Sequence, residues 1–384
     1  MKAIVVGAGI AGLATAGDLA RAGWDITVLE RSDGPRTSGY MMDFFGPGYD
    51  AAENMGILPA LLACAYPIEE ATYLDSAGRV TGKLSFKRFA DLVDGRLLSI
   101  MRPDLEAVLR QILPPSVRLA YGTALQGVEN GPDGVRVAAS DGSVVEADLL
   151  VGADGIHSAV REAVFGPEVR FIRYLGFHTA AYMFSDPGIA EQVGGRFALT
   201  DTKNRQLGLY GLRDNRVAAF LVHRDPSPIL PVDRRAALQW EFAGAGWLAP
   251  RALARAPEDL YYDVVAQVHL DRWHSGRVVL VGDACQAVSL LAGQGASLAV
   301  AGARVLATHL AEASSIPEGC EAYQREWMPV VRDRQETGRR AARWFLPSSN
   351  AELVLRRVML ALSGLPVVNR AIGNSLAGKA VPIR

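Results

Sequence analysis

The feature that most constrains this chain is a glycine pattern near its N-terminus, Gly7-Ala-Gly9-Ile10-Ala11-Gly12, followed eighteen residues after Gly12 by Glu30. Lys2 to Val6 reads as a short buried strand. Ile10 to Ala22 reads as a helix with Leu13, Ala16, Leu19 and Ala20 on one face, ended by Gly23 as an αL cap. Trp24 to Leu29 reads as a second strand closed by Glu30. Each glycine has a physical task. Gly7 permits a tight strand-to-helix turn, and Gly9 lets the backbone approach a pyrophosphate. That group would sit at the positive end of the helix opened by Ile10 and Ala11. Gly12 lets helix and strand pack closely, and Glu30 is placed to accept hydrogen bonds from an adenosine ribose. The pattern implies a dinucleotide and leaves open which one.

Composition narrows the class. The chain has 384 residues, 49% hydrophobic and 21% charged, with a net charge of −1. This suits a soluble globular α/β enzyme of one large body or two domains, and nothing global points to nucleic acid. Residues 331–384 carry ten Arg/Lys and three Asp/Glu, a local +7 against −8 elsewhere. That segment reads either as an arginine-studded helical tail packed on an acidic body or as a surface for a membrane or acidic partner; the packed tail is the expectation. Cys64, Cys285 and Cys320 fit no metal or disulfide pattern, so no metal and a reducing cytoplasm are expected. No run of about 18 apolar residues suggests a membrane span.

Two further motifs repeat the logic of the first. Ala147 to Val151 reads as a buried strand broken by Gly152-Ala-Asp154-Gly155, with a helix start at Ser158 and Arg161 one turn in. Val278 to Val281 reads as another, ended by Gly282-Asp283-Ala284. Gly293-Gln294-Gly295 then leads into an Ala/Leu-rich helix, Ala296 to Leu310, whose first N–H groups are free. A carboxylate at a strand's carboxyl end lies where ligands bind in such sheets.

Taken together, the glycine fingerprint, GADGxxSxxR and GDA…GQG resemble the single-component FAD-dependent aromatic hydroxylases of the p-hydroxybenzoate hydroxylase type. In size and layout they are similar to the compact tetracycline-inactivating flavin monooxygenases. The resemblance covers most of residues 1–315. It implies an α/β fold: a Rossmann-like FAD-binding domain, a β-sheet substrate domain and C-terminal helices. It implies non-covalent FAD and NADPH or NADH as a transient reductant. The reaction would be O2-dependent hydroxylation of an apolar aromatic or polyketide-like molecule through a flavin C4a-hydroperoxide. An FAD-dependent reductase or dehydrogenase without oxygen insertion is the alternative.

Carried over, Gly7, Gly9, Ile10, Ala11, Gly12 and Glu30 hold the ADP part of FAD. Asp154 lies near the pyrophosphate, Asp283 bonds the ribityl chain, and Gly293, Gln294, Gly295 and Ala296 face the flavin edge. Arg102, opening a helix from Asp104 to Leu113, resembles a family arginine beside the FAD, and Arg31 and Arg36 either reach the cofactor or stay solvated. The chain departs from the family at Cys285-Gln286-Ala287 and Ser289-Leu290-Leu291, where prolines are usual. That departure bears on the geometry of the loop beneath the flavin.

The resemblance divides the chain into an FAD domain of residues 1–70, 97–166 and 269–316, a substrate domain of 71–96 and 167–268, and a helical segment of 317–384. Strands are predicted at Gly176 to Phe184, Gln206 to Leu212 and Val217 to His223. Tyr182, Tyr210 and Phe220 are pocket candidates, as are Met42 and Phe44 in a loop ending Gly46-Pro47-Gly48. His178 and His223 read as structural histidines. Leu355, Val358, Met359 and Leu362 form an apolar stripe expected to buttress the body, with Arg356 and Arg357 off it. A monomer acting on a small molecule is the expectation.

Overall fold

The computed structural model describes residues 1–36, 38–91, 93–289, 291 and 293–362, with Phe89 and residues 340–344 by backbone alone. Two sheets organise it. The first has six strands in the order His274–Ser275, Val278–Leu280, Leu149–Gly152, Lys2–Val6, Asp25–Leu29 and Arg118–Ala120, parallel except for the first pair. Its strands are runs of Val, Ile and Leu without alternation, as expected where both faces are covered. Ile4, Val28, Leu150 and Val279 are all buried. In register, Val6 lies beside Gly152 and Gly152 beside Leu280. Three motifs remote in sequence therefore leave the same edge of one sheet, side by side.

The second sheet has seven strands in the order Tyr261–Val268, Ile172–Ser185, Arg216–Arg224, Arg205–Gly211, Arg196–Thr200, Glu70–Leu74 and Val80–Ser85. Alternation gives it two faces. Tyr182, Phe184, Leu207, Leu209 and Leu221 pack on one side with Leu238 and Phe242 of the helix Arg234–Phe242. Phe197, Leu199, Tyr210 and Ala218 pack on the other with Met41 and Met101 of the first body.

Two sequence expectations change here. Residues 41–45 are not loop: Met41–Phe45 is a strand paired antiparallel with Leu97–Met101, Met41 opposite Met101 and Phe45 opposite Leu97. Pairing imposes alternation, so Met42 and Phe44 enter the core of the first body while Met41 faces the second sheet. Likewise, Val354, Leu355 and Val358 are exposed on the helix Asn350–Ala361, as is Leu362, which caps its end. Its packed side is built from Leu360, which lies over Gly82, and from Arg356 and Arg357. The buried Asp201 draws both guanidinium groups to 2.6 Å, and Arg356 also covers the ring of Tyr73. A buried carboxylate demands paired charge, and that demand outranks the apolar stripe.

The helix Ile316–Phe345 ties the two bodies. Cys320, Tyr323 and Trp327 are buried in the first core, and Phe345 packs against the second sheet. Among the described residues no helix is long and apolar enough to cross a membrane.

Candidate active site

The first wall depends on backbone geometry. Gly7 has φ +103°, and a Cβ there would lie 2.5 Å from the Ala153 carbonyl oxygen; a Cβ on Gly12 would lie 1.9 Å from the Gly7 carbonyl oxygen. Both glycines are required by contact. Gly9 has no such obstruction, so its backbone is open to a ligand, beside the N-terminus of the Ile10–Arg21 helix. The Glu30 carboxylate accepts from the Ala8 amide at 2.8 Å and the Ser32 amide at 2.9 Å. Burial pushes its pKa up, but these bonds outweigh it and the net shift is downward. Glu30, Gly9 and Arg36 line a small cleft at this wall, together with Glu106, Arg110 and Tyr121. Arg31, by contrast, is exposed, and its neighbour in the fingerprint, not Arg31 itself, forms that lining.

At the second wall Asp154 acts inside the protein. It accepts from Ser158 Oγ at 2.5 Å and from the Val160 amide at 3.1 Å, and so fastens the turn to the helix Ala159–Phe165. Burial raises its pKa and these bonds offset part of that. Sequence reasoning quoted Arg161 and gave it no role. It is fully buried and donates to Ile156 O, to Ala284 O and to Glu168. Arg161 therefore staples the second wall to the third. Its place in the motif, one turn after the capping Ser158, was the available signal.

Asp283 is different. It has no hydrogen-bond partner among the described residues, and it keeps an exposed surface. Yet protein surrounds it closely enough that burial raises its pKa, with Arg102 pulling the other way. Both properties hold for a carboxylate on the wall of an internal cleft. Gly295 stands next to it, an added Cβ there lying 3.8 Å from Asp283 Oδ1, and Gly293, with φ +65°, borders open space. Gln294 precedes the helix Gly295–Glu312, whose first amides, including that of Ala296, precede the intrahelical ladder. Arg102 lies 3.0 Å from Glu106 at the start of the helix Arg102–Gln111.

The same cleft has an aromatic rim that no motif announced. Tyr40 lies between Phe220, at 6.3 Å, and Tyr261, at 6.0 Å, and both tyrosines are near Arg102 and Asp283. Burial pushes the Tyr40 hydroxyl up to about 12. Of the pocket candidates, Tyr210 and Phe220 belong to this side, Tyr210 stacked on Phe197 at 4.0 Å. Tyr182 belongs to the opposite face, its hydroxyl donating to Ala252 O. Met42 and Phe44 lie in the core of the first body. Their apolar character misled, because the strand turns that side away from the second sheet. His178 and His223 share the Tyr262 hydroxyl on the far face. Cys285 is buried, and burial pushes its thiol well up, so it packs as a small hydrophobe.

A parallel sheet with a fingerprint turn, a capped acidic turn and a free carboxylate before a helix start, all at one edge, defines a dinucleotide-dependent flavoprotein class. The comparisons with known proteins agree. Residues 1–336 match the FAD binding domain family. An uncharacterized protein of Mycobacterium tuberculosis (strain ATCC 25618 / H37Rv) is 36% identical over 355 residues, covering 87% of this chain and 92% of that protein. A flavin-dependent monooxygenase of an unknown prokaryotic organism is 30% identical, covering 88% of each. Among solved structures, the tetracycline destructase Tet(55) superposes with a TM-score of 0.83 at 26% identity, covering 100% of this chain and 98% of that one. HpxO of Klebsiella pneumoniae, complexed with FAD and uric acid, superposes at 0.82 with 24% identity, covering 98% and 97%, a likeness of fold. The chain belongs to the FAD binding domain family and is an FAD-dependent monooxygenase.

Proposed function

We propose that this enzyme uses NADPH or NADH to reduce FAD and inserts one oxygen atom of O2 into an apolar, electron-rich aromatic or polyketide-like molecule. The observation that carries the reading is the exposed Asp283 carboxylate, without a hydrogen-bond partner among the described residues, beside the Gly293–Gly295 turn, with Arg102, Tyr40 and Tyr261 close to it and Phe220 against Tyr40. A group that needs a free acceptor and a helix N-terminus fits beside a group that needs apolar walls.

The residues present suit FAD. Gly7 and Gly12 shape the turn by close backbone contact, Gly9 leaves the backbone open to a pyrophosphate, and Glu30 keeps unused lone pairs for a ribose. Asp283 supplies the unpartnered acceptor that a sugar-alcohol chain requires. The amides of Gly295 and Ala296 present the positive end of a helix, which stabilises negative charge on an adjacent ring edge. When bound, FAD supplies the redox and oxygen chemistry. The protein binds and orients substrate, excludes water and holds charge. The substrate domain of this reading comprises residues 71–96 and 167–268, the FAD domain 1–70, 97–166 and 269–316. Three free cysteines support a reducing, cytoplasmic setting.

The neighbours do not fix the substrate: one is a tetracycline destructase and another holds uric acid, on one fold. Anaerobic reduction of the loaded enzyme by NADPH, followed by 18O2 and a screen of polyphenolic compounds, tests the reading. The expected result is one 18O atom per product molecule. Substrate consumption without label would contradict it.

A further inference from the structure

A cavity of about 330 Å³ lies where the second sheet, the first body and the helix Ile316–Phe345 meet. Its volume is at the lower end of the roughly 300–1,000 Å³ that small-molecule sites occupy. None of its lining residues belongs to the glycine fingerprint, to Asp283 or to the Gly293–Gly295 turn. Arg170, Arg173 and Arg332 line it and are exposed. Asp271 is the one carboxylate among the described lining residues, 3.1 Å from Arg332, and Arg170 and Arg173 have no carboxylate partner among the described residues. The rest is apolar: Trp273, Met328 and Val331 are buried and line the same space. The Trp273 indole N–H has no acceptor among the described residues, so the wall also holds an unmet donor.

His269, also in the wall, reports the positive field. Burial lowers its pKa, and Arg173 of the second sheet and Arg339 and Arg332 of the helix Ile316–Phe345 lower it further, with Asp271 opposing them. The basic segment from residue 331 onward thus sends two of its arginines to this place. His269 also joins the cavity to the third wall. Gln267 Nε2 donates to Val288 O at 2.9 Å and to Gln335 O at 2.7 Å, which leaves its Oε1 to accept from His269 Nε2 at 3.1 Å. That bond fixes a proton on Nε2 and leaves the Nδ1 lone pair free to take a second. Gln335 lines the cavity and donates to Ala287 O, and Cys285 lines it from the third wall itself.

We propose that this cavity is a second small-molecule site, apart from the cofactor wall, which takes an oxyanion carried on an apolar frame such as an arene, and that its occupancy is felt at the third wall. Arg170, Arg173 and Arg332 hold the anionic head, and Trp273, Met328 and Val331 pack on the frame. Cationic groups without carboxylates favour an anion, and apolar walls below them favour a body that water solvates poorly. A negative charge beside His269 favours its second proton, so the anion binds more tightly as pH falls. Gln267 and Gln335 carry the change to the carbonyls of Ala287 and Val288. The site is independent of the oxygenation reading.

The test is calorimetric titration of FAD-loaded enzyme with naphthalene-2-sulfonate, charged at every pH used, and with the neutral naphthalene-2-sulfonamide. Wild type is expected to bind the sulfonate about tenfold more tightly than the sulfonamide, as charge-assisted hydrogen bonds give. Arg173→Glu is expected to weaken the sulfonate by at least about tenfold. Arg79→Glu makes the same change of charge beside Val80–Ser85, at the opposite edge of the second sheet, and is expected to leave the constant within about twofold. Wild type should bind the sulfonate more tightly at pH 5.5 than at pH 8, and His269→Gln should flatten that dependence. Hydrogen exchange around residues 285–289 should slow when the sulfonate binds wild type and not when it is added to Arg173→Glu. Equal affinity for the two probes, one constant for wild type and Arg173→Glu, or equal losses in Arg173→Glu and Arg79→Glu overturns the site. Unchanged exchange at 285–289 with the sulfonate bound overturns its link to the third wall.

Discussion

The first and third walls of the site are both strand ends leading to a helix N-terminus, and they are held in place in opposite ways. The first wall is stabilised from within. Gly7 and Gly12 are fixed by backbone contacts to Ala153 and to each other, and Glu30 is bonded to Ala8 and Ser32. The third wall is held from far away. Gln286 donates to the Tyr323 hydroxyl, which donates to Leu280 O. Gln335 donates to Ala287 O and Val268 O, and Gln267 donates to Val288 O. Ser289 sits at φ +98°, where a non-glycine residue is strained. Where relatives are expected to stiffen this loop with prolines, this chain clamps it with buried glutamines from the strand Tyr261–Val268 and the helix Ile316–Phe345. The prolines act by restricting the unfolded chain, the glutamines by bonds made only in the folded one.

The difference can be broken from either side. The largest effect is expected at the first wall. Gly12→Val would force a side chain into a backbone carbonyl that its Cβ alone would approach to 1.9 Å. A loss of more than about 4 kcal/mol is expected, read as failure to recover folded, yellow protein. Normal yield would show that contact to be relaxable.

Gln335→Ala is expected to cost less, about 1–3 kcal/mol, because it removes the side-chain donor to the Val268 carbonyl and one of two donors to the Ala287 carbonyl, which keeps the Val268 amide. Urea unfolding measures the cost. Hydrogen exchange should speed up around residues 285–291 while Gly7 to Gly12 stays protected. Uniform loosening of both walls would erase the distinction between them.

The smallest effect concerns His157, which joins the second wall to the second sheet. Its ring lies 3.3 Å from Asp263 and 3.1 Å from Glu168, and these carboxylates, Asp263 foremost, raise its pKa to about 9. A raised pKa stabilises the fold fully below about 6.5, the unfolded value, and the gain is lost as pH rises through about 9. The ring is largely exposed, so the gain is expected to stay under about 1 kcal/mol. The melting-temperature gap between wild type and His157→Gln should be present at pH 6 and gone at pH 10. A gap independent of pH would mean that packing, not charge, is at work.

The same contrast explains what the sequence revealed. The strand Lys2–Val6 and the helix from Ile10 were legible residue by residue, because glycines and an apolar period act over a few positions. Gln267, Gln335 and Tyr323 carried no such mark, since a clamp is defined by the backbone it meets across the fold. Tyr40 and Tyr261 escaped for the same reason: their place near Asp283 and Arg102 follows from how the second sheet packs on the first body, not from neighbours in sequence. Met42 and Phe44 show the cost of reading apolar residues without knowing which way their strand faces.

The carboxylate of Asp283 at the third wall is expected to hold the cofactor. The dissociation constant of FAD for Asp283→Ala, measured by fluorescence titration of apoprotein whose circular dichroism matches wild type, tests it most directly. Loss of an acceptor that a bound cofactor would cover is expected to weaken binding by about 1–3 kcal/mol, roughly 5- to 150-fold. An unchanged constant would place the cofactor away from Asp283 and contradict that role.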